Sequence, residues 1–294
     1  TGVQTCALPI FFIAQANGTL EEFPLLAAVL SGVQRKGHYT GNLQKNADVL
    51  YQFPNIQTEV HRLADNAFRT SHLRTPGRMQ NTFANESFFD ELAAAAGADP
   101  LAWRLTYLKE PRAKAVLEDV ARLSKWQSRA SPAKNTKAQV ACGRGVSFVK
   151  YDNDRTFVAL VAEVEVHRKT GAIRVTDVWC SHDCGQVINP DGAINQIEGG
   201  IVQTISRTLL EELKFDQTHV TSTDWATYPI LRFPEVPRIH VSLINRPEMP
   251  VWGAGEMAPT VVPSAISNAV FDATGVRLRS VPFLPAKVKA AGLS

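Results

Sequence analysis

The chain has 294 residues, of which 45% are hydrophobic and 20% charged, and its net charge is +3. This is the make-up of a globular protein with room for one large core or two ordinary ones, not of a disordered tail. The basic residues are scattered rather than blocked, which gives nucleic acid no electrostatic footprint, and no run of about 18 apolar residues marks a membrane-spanning helix.

Residues 1–10 (TGVQTCALPI) resemble the translation of a sequencing adapter, so the biological reading frame is expected to enter near Phe11. An apolar strand or a remnant of a signal peptide is the alternative, and the missing basic n-region argues against the latter. Residues 56–63 alternate loosely, as a half-buried strand does, and Arg74-Thr75-Pro76-Gly77-Arg78 reads as a turn. Residues 81–96 read as a helix ended by Gly97. Phe83, Phe88, Leu92 and Ala95 recur near the helical period, with Glu86, Asp90 and Glu91 on other faces. Asp99 and Pro100 open a second helix as N-cap and first residue, and a third is expected over 111–126. Residues 128–139 are polar and read as a surface linker.

From Gly143 the period changes to two, and 146–149, 156–166 and 173–180 read as strands. Val158, Leu160, Ala162, Val164 and Val166 share one face, Ala159, Val161, Glu163 and Glu165 the other, which predicts a sheet with one face in a core. The cluster Cys180-Ser181-His182-Asp183-Cys184 invites a metal reading. Without a second Cys/His pair at suitable spacing it reads better as a buried strand end. Cys142, Cys180 and Cys184 are also too few and too irregular for a disulfide framework.

Asn189-Pro190-Asp191-Gly192 leads into a helix whose stripe is Ile194, Ile197, Ile201, Ile205, Leu209 and Leu213. Gly199 and Gly200 inside it cost about 2 kcal/mol in propensity relative to alanines, which suggests close backbone approach by something or a tight helix crossing. Residues 239–244 are the clearest later strand, 259–273 a helix ended by Gly275, and 278–281 a last strand. The fold class is α+β, mixed sheets with packed helices.

The outstanding candidate for chemistry is Glu256. It follows Gly253-Ala254-Gly255 and precedes Met257, Ala258, Val261 and Val262. Desolvation by such neighbours tunes a carboxyl for general acid or base work, whereas a helix N-terminus favours the anion by roughly 0.3–1 kcal/mol. A merely capping acid is the alternative. The glycine string is no dinucleotide fingerprint, since the third glycine and the later acid are missing. P-loop, nucleophile-elbow and HExxH signatures are absent too.

Three separated segments carry a family resemblance. The first is Arg74-Thr75-Pro76-Gly77-Arg78-Met79-Gln80, leading into Asn85-Glu86-Ser87-Phe88-Phe89-Asp90-Glu91-Leu92 and Asp99-Pro100-Leu101. The second is Asp183-Cys184-Gly185-Gln186-Val187-Ile188-Asn189-Pro190-Asp191-Gly192, continued by Gln196-Ile197-Glu198-Gly199-Gly200, and the third is Gly253-Ala254-Gly255-Glu256. In this order and spacing they resemble the molybdenum hydroxylases, the xanthine dehydrogenase and aldehyde oxidase family, most closely its isoquinoline 1-oxidoreductase-like large subunits.

The resemblance implies a C-terminal portion of a molybdopterin-binding catalytic subunit that hydroxylates N-heteroaromatic rings or oxidises aldehydes with water as the oxygen source. Residues 11–127 would be part of the molybdopterin-binding region, 128–142 a linker, and 143–294 the C-terminal domain with the catalytic glutamate. The resemblance makes Glu256 the base that takes a proton from a molybdenum-bound hydroxide, and Gln196 and Arg74 cofactor-facing residues. Gly199, Gly200 and Gly255 would let the backbone approach the cofactor, and Pro76 falls where relatives stack an aromatic on substrate. No protein side chain would ligate the metal, which a pterin, expected as the cytosine dinucleotide form, would hold.

The chain departs from the family at Pro76, which puts a planar purine sandwich in doubt. It also lacks the Gly-Gln-Gly loop that many relatives carry between the positions of Phe148 and Thr156. Iron–sulfur cysteine spacing is missing, so electrons would pass to a separate [2Fe–2S] subunit and on to a cytochrome or another acceptor. Either a cytoplasmic or a periplasmic location is compatible with the resemblance. The competing readings are a non-catalytic paralogue or scaffold that keeps the fold, and an unrelated α+β hydrolase or ligand-binding domain.

Overall fold

The computed structural model describes residues 44–60, 73–133 and 138–293. The expected adapter segment and residues 61–63 of the first expected strand lie outside them, and 56–60 form no strand.

Three helices come first: α1 (Arg78–Ala95), α2 (Pro100–Tyr107) and α3 (Pro111–Ser124). The Asp99 carboxylate accepts from the backbone N–H of Leu101 and Ala102, with Pro100 at the first helical position, so α2 starts where its capping residues dictate. Gly97 takes the left-handed conformation just beyond α1 (φ 64°).

The buried face of α1 differs from the expected one. Phe89, Glu86 and Asp90 are buried, Phe83, Phe88 and Leu92 only half-buried, and Ala95 exposed. The reason is pairing. Arg104 Nε donates to Glu86 Oε2 at 2.9 Å, and Arg277 Nη1 to Asp90 Oδ2 at 2.8 Å. Two acids that read as solvent-facing are therefore taken into the core by cations from other elements.

A four-stranded sheet follows, β1 (Val140–Lys150), β2 (Phe157–His167), β3 (Ala172–Asp183) and β4 (Arg238–Leu243), paired in that order. The first three strands run antiparallel, and β4 lies parallel to β3 after a crossover through the helix α4 (Pro190–Leu209). The Asn189 side chain caps α4 by accepting from Gly192 N at 3.0 Å. This helix ends at Leu209, before the expected last member of its stripe, and Leu213 is exposed.

Two further helices close the described chain, α5 (Met257–Thr274), ended by Gly275 at φ 78°, and α6 (Pro285–Ala290). No strand forms over 278–281. Leu278 and Phe283 are buried from a loop, and Pro282 has no N–H to offer a ladder.

The sheet is covered on both faces over much of its length, more than the single buried face expected. Val158, Leu160, Ala162, Val164 and Val166 pack with Ile197, Ile201, Val261, Val262, Ala265 and Ile266 of α4 and α5. On the other side Val146, Phe148, Ala159 and Val161 pack with Val116, Leu117 and Val120 of α3 and with Phe89. On that second face Glu163 and Glu165 meet solvent in part, together with their neighbours Arg144 and Cys142 on β1.

Helix α5 lies so close to β1 that a Cβ at Gly143 would strike Ala269 O and one at Gly145 Ala269 N. Residues 129–131, expected as surface linker, are tied to this helix: Arg129 Nη2 and Ser131 Oγ reach Asp272 at 2.5 and 2.6 Å. Cys180 and Cys184 are buried free thiols at the end of β3, as the strand-end reading predicts. Asp183 beside them is engaged by Arg112 at 2.6 Å and Arg246 at 2.5 Å. Among the described residues no helix is long and apolar enough to cross a membrane.

Candidate active site

The three motif segments, far apart in sequence, meet where α4 crosses the start of α5. Gly200 sits at that crossing. A Cβ there would lie 2.8 Å from Pro259 Cγ and 3.3 Å from Arg74 Cζ, which explains a glycine inside a helix as helix–helix approach. Gly199, next to it, is exposed and has nothing within 4 Å. The propensity cost at Gly199 is thus unexplained by packing within the described chain.

Arg74 is the hub. Its Nε donates to Gly255 O, its Nη2 to Gln196 Oε1 at 2.9 Å, and its Nη1 to Gln203 Oε1 at 3.3 Å. The backbone carbonyl of Arg74 in turn accepts from Arg207 Nη1 at 2.9 Å. One guanidinium thereby joins the turn before α1, the middle of α4 and the loop before α5. Gln196 closes the set, since a Cβ at Gly255 would lie 3.9 Å from its Oε1.

Glu256 occupies the N-cap position of α5 but makes no side-chain capping bond. The carboxylate turns away from its own helix. Oε2 accepts from the Tyr151 hydroxyl, and Oε1 from Thr75 N at 3.4 Å. The capping alternative therefore does not describe it. Thr75 is buried and left-handed (φ 67°), a strained conformation for a β-branched residue that persists only where surroundings over-determine it. Burial, and then the Glu256 carboxylate, push the Tyr151 phenol far up, so this hydroxyl keeps its proton and donates.

Glu256, Gln196, Arg74 and Gly255 are thus brought together, and Gly200 packs behind them. Pro76 is buried and offers its carbonyl to Arg78 Nη1 at 2.9 Å, so the substrate contact expected of it has no open surface in this arrangement. Tyr151, Thr75, Gln203 and Arg207 are members of the constellation that the sequence reading missed. The one available signal for Tyr151 was its place before Asp152-Asn153, two residue types that tolerate left-handed turns.

The donor set suits a large anionic group better than a bare cation. Among the described residues no three His, Cys, Asp or Glu side chains converge. What faces outward is the Gln196 amide on an exposed helix position, the bare edge of α4 at Gly199, and the Arg74 guanidinium. Amide and guanidinium N–H groups match oxo and phosphate oxygens.

Comparison with known proteins places the chain in a family. Two family models, each described as a molybdopterin cofactor-binding domain, match residues 24–108 and 93–237. A nicotinate dehydrogenase polypeptide of Pseudomonas putida is 40% identical over 248 residues, 82% of this chain and 21% of that protein. The beta chain of isoquinoline 1-oxidoreductase from Brevundimonas diminuta is 36% identical over 216 residues, 73% of this chain and 27% of the relative. The chain therefore spans about a quarter of the length of these curated relatives. The solved aldehyde oxidoreductase of Desulfovibrio gigas superposes with a TM-score of 0.64 at 18% identity, over 76% of this chain and 42% of that one, a likeness of fold. The reading as an unrelated hydrolase is set aside by these matches.

Proposed function

Because the chain belongs to the molybdopterin cofactor-binding family of the molybdenum hydroxylases, we propose that it is the part of a catalytic subunit that places Glu256 as general base beside a molybdenum–pterin cofactor. The observation that carries this reading is the Glu256 carboxylate, turned off its own helix and set beside the Arg74–Gln196 pair. When bound, the molybdenum–pterin group would supply the two-electron oxidation, with water as the oxygen source.

The chain's own part is positioning and proton transfer. The Arg74 guanidinium and the Gln196 amide would hold the cofactor by hydrogen bonds, with Gly255 and Gly199 leaving room for its approach. Glu256 carries one donor on each carboxylate oxygen, out of about four acceptor sites on such a group. Capacity therefore remains to take a proton on the cofactor side and release it to solvent. Behind the site the α4–α5 crossing is tightly packed, with Gly200 against Pro259.

The substrate class is an N-heteroaromatic compound or an aldehyde. The relatives named for nicotinate and isoquinoline, more similar in sequence than the aldehyde oxidoreductases, favour the first. The cofactor is proposed as the cytosine dinucleotide form, and the electrons to leave through a separate [2Fe–2S] subunit toward a cytochrome. The full-length subunit co-purified with that partner tests the reading. Molybdenum is expected in about equimolar amount, together with oxidation of N-heteroaromatic substrates. A folded complex without molybdenum would show a scaffold that kept only the fold.

A further inference from the structure

Residues 151–156, joining β1 to β2, are shaped by two consecutive left-handed residues, Asp152 (φ 59°) and Asn153 (φ 57°). Such a backbone persists where contacts fix it, and here they are dense. Arg78 Nε donates to Asp152 Oδ1 at 2.7 Å, with both side chains at most 10% exposed. Asn46 Nδ2 donates to Asn153 Oδ1 at 2.9 Å, and Asp152 N to Asn46 Oδ1 at 3.0 Å. Tyr151 N donates to Thr156 O at 2.9 Å, and the Arg78 guanidinium lies over the Tyr151 ring, 5.4 Å from its centroid. All of this holds one buried phenol against Glu256 Oε2. On the other carboxylate oxygen the Thr75 N–H is distant, at 3.4 Å, a weak bond.

We propose that Tyr151 is a positioning residue: it occupies Glu256 Oε2, fixes the carboxylate plane, and leaves Oε1 as the oxygen that takes the proton in turnover. This rests on the reading of Glu256 as the base. The phenol gives up no proton and touches no substrate; its work is to hold the acceptor in one orientation. A phenylalanine keeps the ring under Arg78 and removes only the donor, so the carboxylate regains rotation.

The test uses the full-length subunit with its iron–sulfur partner. Tyr151→Phe is expected to keep its molybdenum content and its KM, but to lose kcat by about tenfold or more, as misplaced catalytic groups do. A readout independent of turnover is the hydrogen-bond signature of the Tyr151 hydroxyl in the ultraviolet resonance Raman spectrum of the complex, isolated as the difference from Tyr151→Phe. In Glu256→Gln that signature should move toward a weaker acceptor, since a neutral amide replaces the carboxylate it donates to.

An unchanged kcat in Tyr151→Phe, or a Tyr151 hydrogen-bond signature indifferent to Glu256→Gln, overturns the inference. If Glu256→Gln is inactive at the same time, the base reading survives that failure. If Glu256→Gln turns over normally, both fall together.

Discussion

Among the described residues three glutamates receive a tyrosine hydroxyl, Glu86, Glu211 and Glu256, and the surroundings of the first and the last give them opposite roles. Glu86 takes the Tyr51 hydroxyl at 2.6 Å, Arg104 Nε at 2.9 Å and the Phe148 N–H at 2.9 Å, and it is 3% exposed. Glu256 takes the Tyr151 hydroxyl and one long backbone N–H, is half-buried, and makes no ion pair with a described residue. Both phenols are pushed up, by burial first and the carboxylate second, so both donate. Where the remaining acceptor sites are filled and a cation balances the charge, the carboxylate is scaffold. Where they stay open, it has chemistry left to do. A tyrosine–glutamate pair alone does not identify a site; the unfilled valence does.

That contrast can be broken in the scaffold first. Arg104→Met leaves Glu86 buried without its cation, while Asp90 keeps Arg277, and urea unfolding of the full chain should show a loss of about 3–5 kcal/mol. Glu256→Gln should stay within about 0.5 kcal/mol of the parent in the same assay, as befits a half-open site. Equal losses in the two variants would erase the distinction.

A second buried group sharpens it at acid pH. His182 is fully buried with neither ring nitrogen bonded among the described residues, and burial, partly opposed by Asp183, pushes its pKa down to about 4. An ordinary histidine titrates near 6.5, so the unfolded chain binds this proton first. Stability is therefore full above pH 6.5 and falls by about 1.4 kcal/mol per pH unit toward pH 4. Replacement by phenylalanine should flatten that slope, and an unchanged slope would remove His182 from the account.

The smallest effects separate the two adjacent glycines of α4. Gly200→Ala forces a methyl against Pro259 and should cost about 1–3 kcal/mol with a loosened site. Gly199→Ala meets nothing within 4 Å and should be neutral or gain up to about 1 kcal/mol in propensity. If Gly199→Ala instead lowers molybdenum content without touching stability, the bare edge of α4 is where the cofactor approaches.

Much of the fold was legible because its signals are local. Asp99-Pro100 sets the start of α2, Gly97 and Gly275 mark helix ends, and the alternation from Val158 to Val166 names one face of β2 correctly. Apart from the strand expected over 278–281, which the neighbouring Pro282 disfavours, the larger errors fall where the deciding partner is remote in sequence. The buried face of α1 depends on Arg104 and Arg277, and the covering of the second sheet face on α3, neither visible in a single window. For the site, motif order brought Arg74, Gln196 and Glu256 to attention. Tyr151 lies 105 positions from its partner and escaped notice, because only the folded β1–β2 turn aims it.

The central claim is that Glu256 accepts the proton released in turnover. The full-length complex carrying Glu256→Gln, loaded with cofactor and assayed beside the parent, measures it directly. Molybdenum content equal to the parent with turnover reduced by about 10²–10⁴-fold is the expected result. Parent-level turnover in a fully loaded Glu256→Gln complex would contradict it.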